Sequence, residues 1–301
     1  MVRARPIVIA CVGLWAATAR AAPTTTRPAT QVSAEQLSRE AEARFNLTLF
    51  SVSSPRFQVY ADLPAGQLRP LVERLEWTYA RIAPLFGVPR EKNAFGGRLP
   101  VFMFSDAETL RKFGRELDET DVPPLAVGYF RAIPGGTGHL VIALPAPGSD
   151  GGPLGSPRLQ FQYTVAHEMT HAFLHNLYPG VKLPVWLNEG IAEASAQRLF
   201  PRRDVLPTAR VIAAQEASIQ HVFEPGDKSY LNVDYYPVFT TLVRTLLAEN
   251  PQSFLLLIEA MRDKTFPEAL RETYGWTTED LERKWREYLK TAGARPRRER
   301  T

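Results

Sequence analysis

Residues 161–174 read FQYTVAHEMTHAFL, and the spacing of apolar side chains in that stretch decides the rest. They recur at three and four residues, the period of a helix, with threonine, histidine and glutamate between them. On such a helix His167 and His171, four residues apart, project from one face about a turn from each other. Two imidazoles so placed can share one metal ion. Glu168 lies next to that ion without having to bind it, which is where a general base for a metal-bound water belongs.

The next informative stretch is WLNEGIAE at residues 186–193, with Glu189 eighteen positions after His171. Pro184 and Trp186 close a turn, and residues 188–199 again carry helical spacing. An antiparallel return of this second helix would bring Glu189 to the histidine pair. Catalytic zinc takes three protein ligands and keeps a fourth position open, whereas structural zinc sites are closed and usually rich in cysteine. The chain has a single cysteine, Cys11, far from either stretch, so the open form is expected. His167, His171 and Glu189 are then the ligands of a Zn2+ ion and Glu168 the base. Glu193, four residues beyond Glu189, points the same way and is a candidate to accept the other ring N–H of His167, fixing its tautomer.

The pairing of HEMTH with WLNEGIAE resembles the gluzincin metallopeptidases, the thermolysin-like and aminopeptidase-like group, and the overall arrangement resembles bacterial families described as peptidase MA-like. The resemblance is close over about residues 160–200 and looser from Phe57 to Leu289. It implies an α+β, thermolysin-like zincin with a mixed or antiparallel sheet in an N-terminal lobe, a helical C-terminal lobe, and zinc-dependent hydrolysis of peptide bonds in a peptide or protein substrate. By position, His167, His171 and Glu189 match the zinc ligands, Glu168 the catalytic base and Glu193 the acid that orients a ligand histidine. Related chains place a tyrosine before a later helix, which makes Tyr236 the first candidate to stabilise the oxyanion of the tetrahedral intermediate; His221, Tyr230 and Tyr235 compete with it. Two departures matter. The Gly-x-Met-Glu-Asn signature by which zinc aminopeptidases hold a substrate amine is missing upstream, and Leu174 and Leu177 stand where a metzincin has glycine and histidine. A non-catalytic or metal-binding envelope protein that keeps the zincin fold is the alternative, because no specificity pocket is legible in the sequence.

Charge excludes other classes. The chain has a formal net charge of +4, but residues 1–22 hold three arginines and no acid, and residues 295–300 hold four arginines against Glu299. The body between is about −2, which is not the pattern of a nucleic-acid binder. Residues 1–22 have the order of a secretory signal peptide: Arg3 and Arg5, an apolar run from Ile7 to Ala17, then Ala19-Arg20-Ala21. Export to a secreted or periplasmic location follows, with no stable membrane insertion, since the run is short for a bilayer span. Oligomeric state has no signal.

The remaining chain divides into residues 23–54, a Pro/Thr linker and a capped helix from Ser33 to about Phe45, a catalytic region at 55–291, and a basic tail at 292–301. Within the catalytic region, residues 55–160 form the sheet lobe and 161–291 the zinc helix and helical lobe. Strands are expected at 56–62, 98–105, 127–133 and 139–144, the last two an antiparallel pair, and helices at 66–86 and 106–117. Beyond Pro201 helices are expected near 208–219, 235–248, 252–262, 266–274 and 278–289. In gluzincin-like proteins the strand before the zinc helix lies at the sheet edge beside the cleft, so the resemblance implies that 139–144 offers free backbone groups to an extended substrate; an ordinary edge strand is the alternative, with His139 on the surface in either case. The Pro/Gly loop at 145–157 would cover that edge or act as a lid. His175, a turn past His171, is assigned to surface or capping duty.

Overall fold

The computed structural model describes residues 32–145, 156–201, 204–224 and 233–292. The signal-like segment, the Pro/Thr linker, Tyr230, residues 146–155 of the proposed lid and nearly all of the basic tail lie outside them. The chain divides into two compact units after Pro179. Among the described residues, no helix is long and apolar enough to cross a membrane.

The first unit is built on a five-stranded mixed sheet: β1 (Phe50–Ser53), β2 (Phe57–Ala61), β3 (Leu99–Phe104), β4 (Gly128–Arg131) and β5 (His139–Ala143), in the order β1-β2-β3-β5-β4. β2, β3 and β5 run parallel, with Val59, Val101 and Leu140 in register, while β1 and β4 pair antiparallel at the two edges. Helices cover both faces, and strands so covered lose the alternation of a half-exposed sheet. LPVFMF in β3 and HLVIA in β5 are therefore nearly continuous apolar runs, and β5 is buried at every residue. Side chains of Phe102, Phe104 and Val141 join α1 (Ala34–Phe45) and α3 (Ala107–Glu116) in one core cluster. α2 (Ala65–Ile82) and α4 (Pro157–Leu177) pack on each other, α2 against β1 and β2 and α4 against β4 and β5. α4 thus belongs to the sheet unit.

Local signals place the helix starts. Ser33 and Asp106 cap α1 and α3 through bonds to Gln36 N and Thr109 N, and Pro157 opens α4 at a position where its missing N–H is harmless.

Two expectations are corrected. β5 is not an edge strand: the connection after Arg131 folds β4 back along its outer side, so β5 is held between β3 and β4 and its backbone groups are taken. Nor is His139 on the surface. It is 2% exposed, its Nε2 lies 2.9 Å from Asp118 Oδ2, and the same oxygen accepts the Tyr129 hydroxyl at 2.7 Å. Burial and the neighbouring Asp118 carboxylate push the Tyr129 hydroxyl well above its ordinary pKa, keeping it a donor. The strand period alone could not reveal this, because the partner comes from the loop after α3.

The second unit is helical: α5 (Val185–Leu199), α6 (Leu206–Gln215), α7 (Tyr236–Glu249), α8 (Pro251–Ala260), α9 (Phe266–Tyr274) and α10 (Thr278–Thr291). α7 is its centre, packing on α5, α6, α8 and α10, and its Val238, Phe239, Leu242, Val243 and Leu246 are wholly buried. Trp285 of α10 donates to Thr241 Oγ1 at 2.8 Å, satisfying the indole N–H inside the core.

Asp118 is the shared acceptor of two buried donors in the first unit. Each left unsatisfied costs about 1–3 kcal/mol, so Asp118→Ala is expected to lower unfolding free energy by about 3 kcal/mol in urea denaturation; a loss under ~0.5 kcal/mol would contradict the network's role.

Candidate metal centre

In α4, Phe161 through Leu174 are all buried, polar residues included. A helix covered on every side is held by its neighbours rather than by one apolar stripe. Phe173 anchors it, its ring 5.0 Å from Tyr79, 5.5 Å from Phe86 and 5.3 Å from Phe95. His175 Nε2 donates to Gly136 O at 2.8 Å and Asn176 donates to Thr137 O at 3.1 Å, tying the helix end to the β4–β5 connection. His175, expected to lie on the surface or cap the helix, is half-buried and serves instead as a tie to that connection. On the strand side Gly128 lets β4 come close: a methyl group there would lie 2.6 Å from Thr164 Cγ2 and 3.3 Å from Glu168 Cγ.

These supports fix the histidine pair. His167 and His171 are 0% and 1% exposed, with ring centroids 4.9 Å apart, and their Nε2 atoms are 3.2 Å apart. A tetrahedral ion holding both nitrogens at about 2.0–2.1 Å would space them by roughly 3.3 Å. Glu168 is wholly buried on the same turn. Glu189, 2% exposed, offers the third ligand atom: the ligand atoms of His167, His171 and Glu189 all lie within 4.8 Å of one another. This buried His-His-Glu group could bind a metal ion, and two imidazoles with one carboxylate are donors that fit zinc.

Glu189 is held from within its own unit. α5 starts at Val185, three residues before the span read from the sequence, with Pro184 as its cap residue. Gly190 allows α7 to approach, since a methyl group there would sit 2.6 Å from Phe239 O and 2.8 Å from Val243 Cγ2. That approach carries Tyr236, 8% exposed, to Glu189, where its hydroxyl donates to Oε2 at 3.0 Å. Tyr236 therefore contacts a candidate ligand, a partnership the sequence did not suggest. Glu193, 2% exposed, accepts from Gln197 Nε2 at 3.4 Å, and Gln197 Oε1 in turn accepts from Arg244 at 2.6 Å. Gln197 and Arg244 were missed by sequence reasoning; position 197 continues the 189, 193 face at helical spacing, but nothing marks Arg244. Of the competing residues, Tyr235 donates to Glu216 Oε1, and burial together with that carboxylate raises its pKa to about 12. His221 packs edge-on to the Tyr235 ring at 5.7 Å.

Outer-shell partners of metal ligands are typically worth ten- to a hundredfold in affinity. Tyr236→Phe is expected to weaken zinc binding by about tenfold or more in chelator competition, with thermal unfolding of the apo protein little changed; equal affinity would show that the Tyr236–Glu189 bond does not hold the ligand. Compared as a sequence, the chain matches no protein-family model and no curated protein.

Proposed function

We propose that the protein is a zinc-dependent metallopeptidase of the gluzincin, peptidase MA-like kind, acting on a peptide or protein substrate. One observation carries the reading: a buried His167–His171 pair on one helix turn, with Glu189 in ligand range and the wholly buried Glu168 next to His167 on the same turn. The wholly buried Glu168 also favours an enzyme over a metal-binding protein without turnover. A carboxylate out of water is expensive unless its position is used, and metal retention needs only the other three residues. Residues 1–22 support a secreted or periplasmic site of action.

When bound, zinc supplies a Lewis acid that polarises the scissile carbonyl and lowers the pKa of water toward neutrality. The chain's own groups would do the rest. Glu168 accepts a proton from the attacking water as its oxygen bonds to the carbonyl carbon, then delivers that proton to the leaving nitrogen as the C–N bond breaks. Its burial keeps competing solvent away from the transfer. The Tyr236 hydroxyl, a donor to Glu189, would turn toward the charge that develops on the carbonyl oxygen. Glu193, which accepts from Gln197, itself bonded to Arg244, would accept the other ring N–H of His167 and so fix the tautomer that leaves its remaining nitrogen free to ligate.

Separating chemistry from metal binding tests this directly. Purified protein is expected to hold about one equivalent of zinc, as in single-ion catalytic sites, and to cleave peptides in a chelator-sensitive way. Glu168→Gln is expected to keep the zinc and lose about 10²-fold or more in kcat, while His167→Ala and His171→Ala lose the metal. Peptide cleavage by Glu168→Gln at the native rate would overturn the assignment of the base. A native protein that holds zinc but cuts nothing in a proteome-derived peptide library would favour the non-catalytic alternative.

A further inference from the structure

Where β3 and β5 run out, the first unit opens into a pocket of about 250 Å³. Its walls include Ala107 at the start of α3, Val127, Ala143 and Leu144, with Phe161 and Thr164 contributed by α4. Two polar residues at the rim, Ser105 and Asp106, are already engaged. Ser105 donates through its backbone N and its hydroxyl to the two carboxylate oxygens of Asp62, at 2.8 Å each. Asp106 accepts from Thr109 N at 2.8 Å and from its hydroxyl at 2.7 Å as the cap of α3. What remains for an occupant is mostly hydrocarbon.

Thr164 connects this pocket to the candidate base. Thr164 and Glu168 are four residues apart on α4, which sets their Cβ atoms about 5–6 Å from each other on one face. Both close on Gly128, and the residue before it, Val127, is the strand-side wall of the pocket. An extended peptide advances about 3.3 Å per residue. The pocket that Thr164 lines is thus within the reach of a residue one or two positions from the bond that Glu168 would serve.

We infer that this pocket receives an apolar side chain of the substrate, of leucine, methionine or phenylalanine size, and so sets a cleavage preference; the inference rests on the peptidase reading of the Glu168 site. The volume suits one such side chain. The mostly apolar walls make burial of a charged side chain costly, and the Asp106 carboxylate at the rim opposes an acidic one. Burying leucine or phenylalanine there in place of alanine corresponds to a preference of roughly ten- to a hundredfold.

Ala107 is partly exposed at the first position of α3, where a larger side chain can enter the pocket without disturbing a strand. Blocked peptides differing only in leucine, phenylalanine, alanine or aspartate at each position flanking the cut are compared by kcat/KM on native and Ala107→Phe proteins, both checked for the same thermal midpoint. At one position the native protein is expected to prefer leucine or phenylalanine over alanine by about tenfold or more, and Ala107→Phe to bring that ratio to about one. The same peptides are titrated calorimetrically onto zinc-loaded Glu168→Gln protein, where the apolar peptide is expected to bind about tenfold tighter than the alanine one and to lose that advantage in the Ala107→Phe, Glu168→Gln double variant. A flat native profile, or a preference that Ala107→Phe leaves intact, overturns the pocket while leaving the peptidase standing. Absence of cleavage with pocket-dependent binding retained overturns the peptidase and leaves the pocket standing, and absence of both removes the two together.

Discussion

Two imidazole nitrogens held 3.2 Å apart with no access to water are the constraint around which the structure is arranged. At that distance both cannot carry protons toward each other, so the pair is stable only if one nitrogen donates to the other or if both turn lone pairs on a cation. The geometry comes from helix pitch, but holding it takes a helix that cannot rotate or slide. α4 meets that demand through burial on all sides, the aromatic cluster at Phe173 and the bonds from His175 and Asn176 to the β4–β5 connection. Gly128 completes the enclosure by letting the edge strand reach the turn that carries Glu168.

The helical unit does comparable work for Glu189. Close approach of α5 and α7 depends on the missing side chain at Gly190, and it is this contact that sets the Tyr236 hydroxyl on the Glu189 carboxylate. Along the same face of α5, Glu193, Gln197 and then Arg244 of α7 form a chain of hydrogen bonds that ends in a permanent positive charge. Buried carboxylates at 189 and 193 would be costly alone; the tyrosine hydroxyl, the amide and the guanidinium beyond it offset that cost.

Much of this was legible because it is local. The four-residue spacing of His167 and His171, the cap at Ser33, and the helical period around Glu189 each act within one or two turns, and each helix is found there, α5 beginning three residues early at Val185. The α+β class, with a mixed sheet preceding a run of helices, was legible for the same reason. What failed was strand order. LVIA in β5 is apolar without alternation, the mark of a strand covered on both faces and flanked on both sides, yet whether β4 returns outside it depends on pairing between segments rather than on either segment. His139 was misjudged with it, since Asp118 and Tyr129 meet it only after the chain folds. β1 escaped notice because four residues of FSVS, mostly exposed, carry too few apolar positions to show a period. The Tyr236–Glu189 and Gln197–Arg244 bonds each span 47 positions, beyond the reach of any periodic signal.

Diffraction from zinc-loaded crystals at the zinc absorption edge tests the central claim most directly. The account requires one anomalous peak, about 2.0–2.2 Å from His167 Nε2, His171 Nε2 and a carboxylate oxygen of Glu189, with no fourth protein donor in the coordination sphere. A peak centred on other residues, a Glu189 carboxylate turned away from the ion, or a fourth side chain closing the site would contradict it.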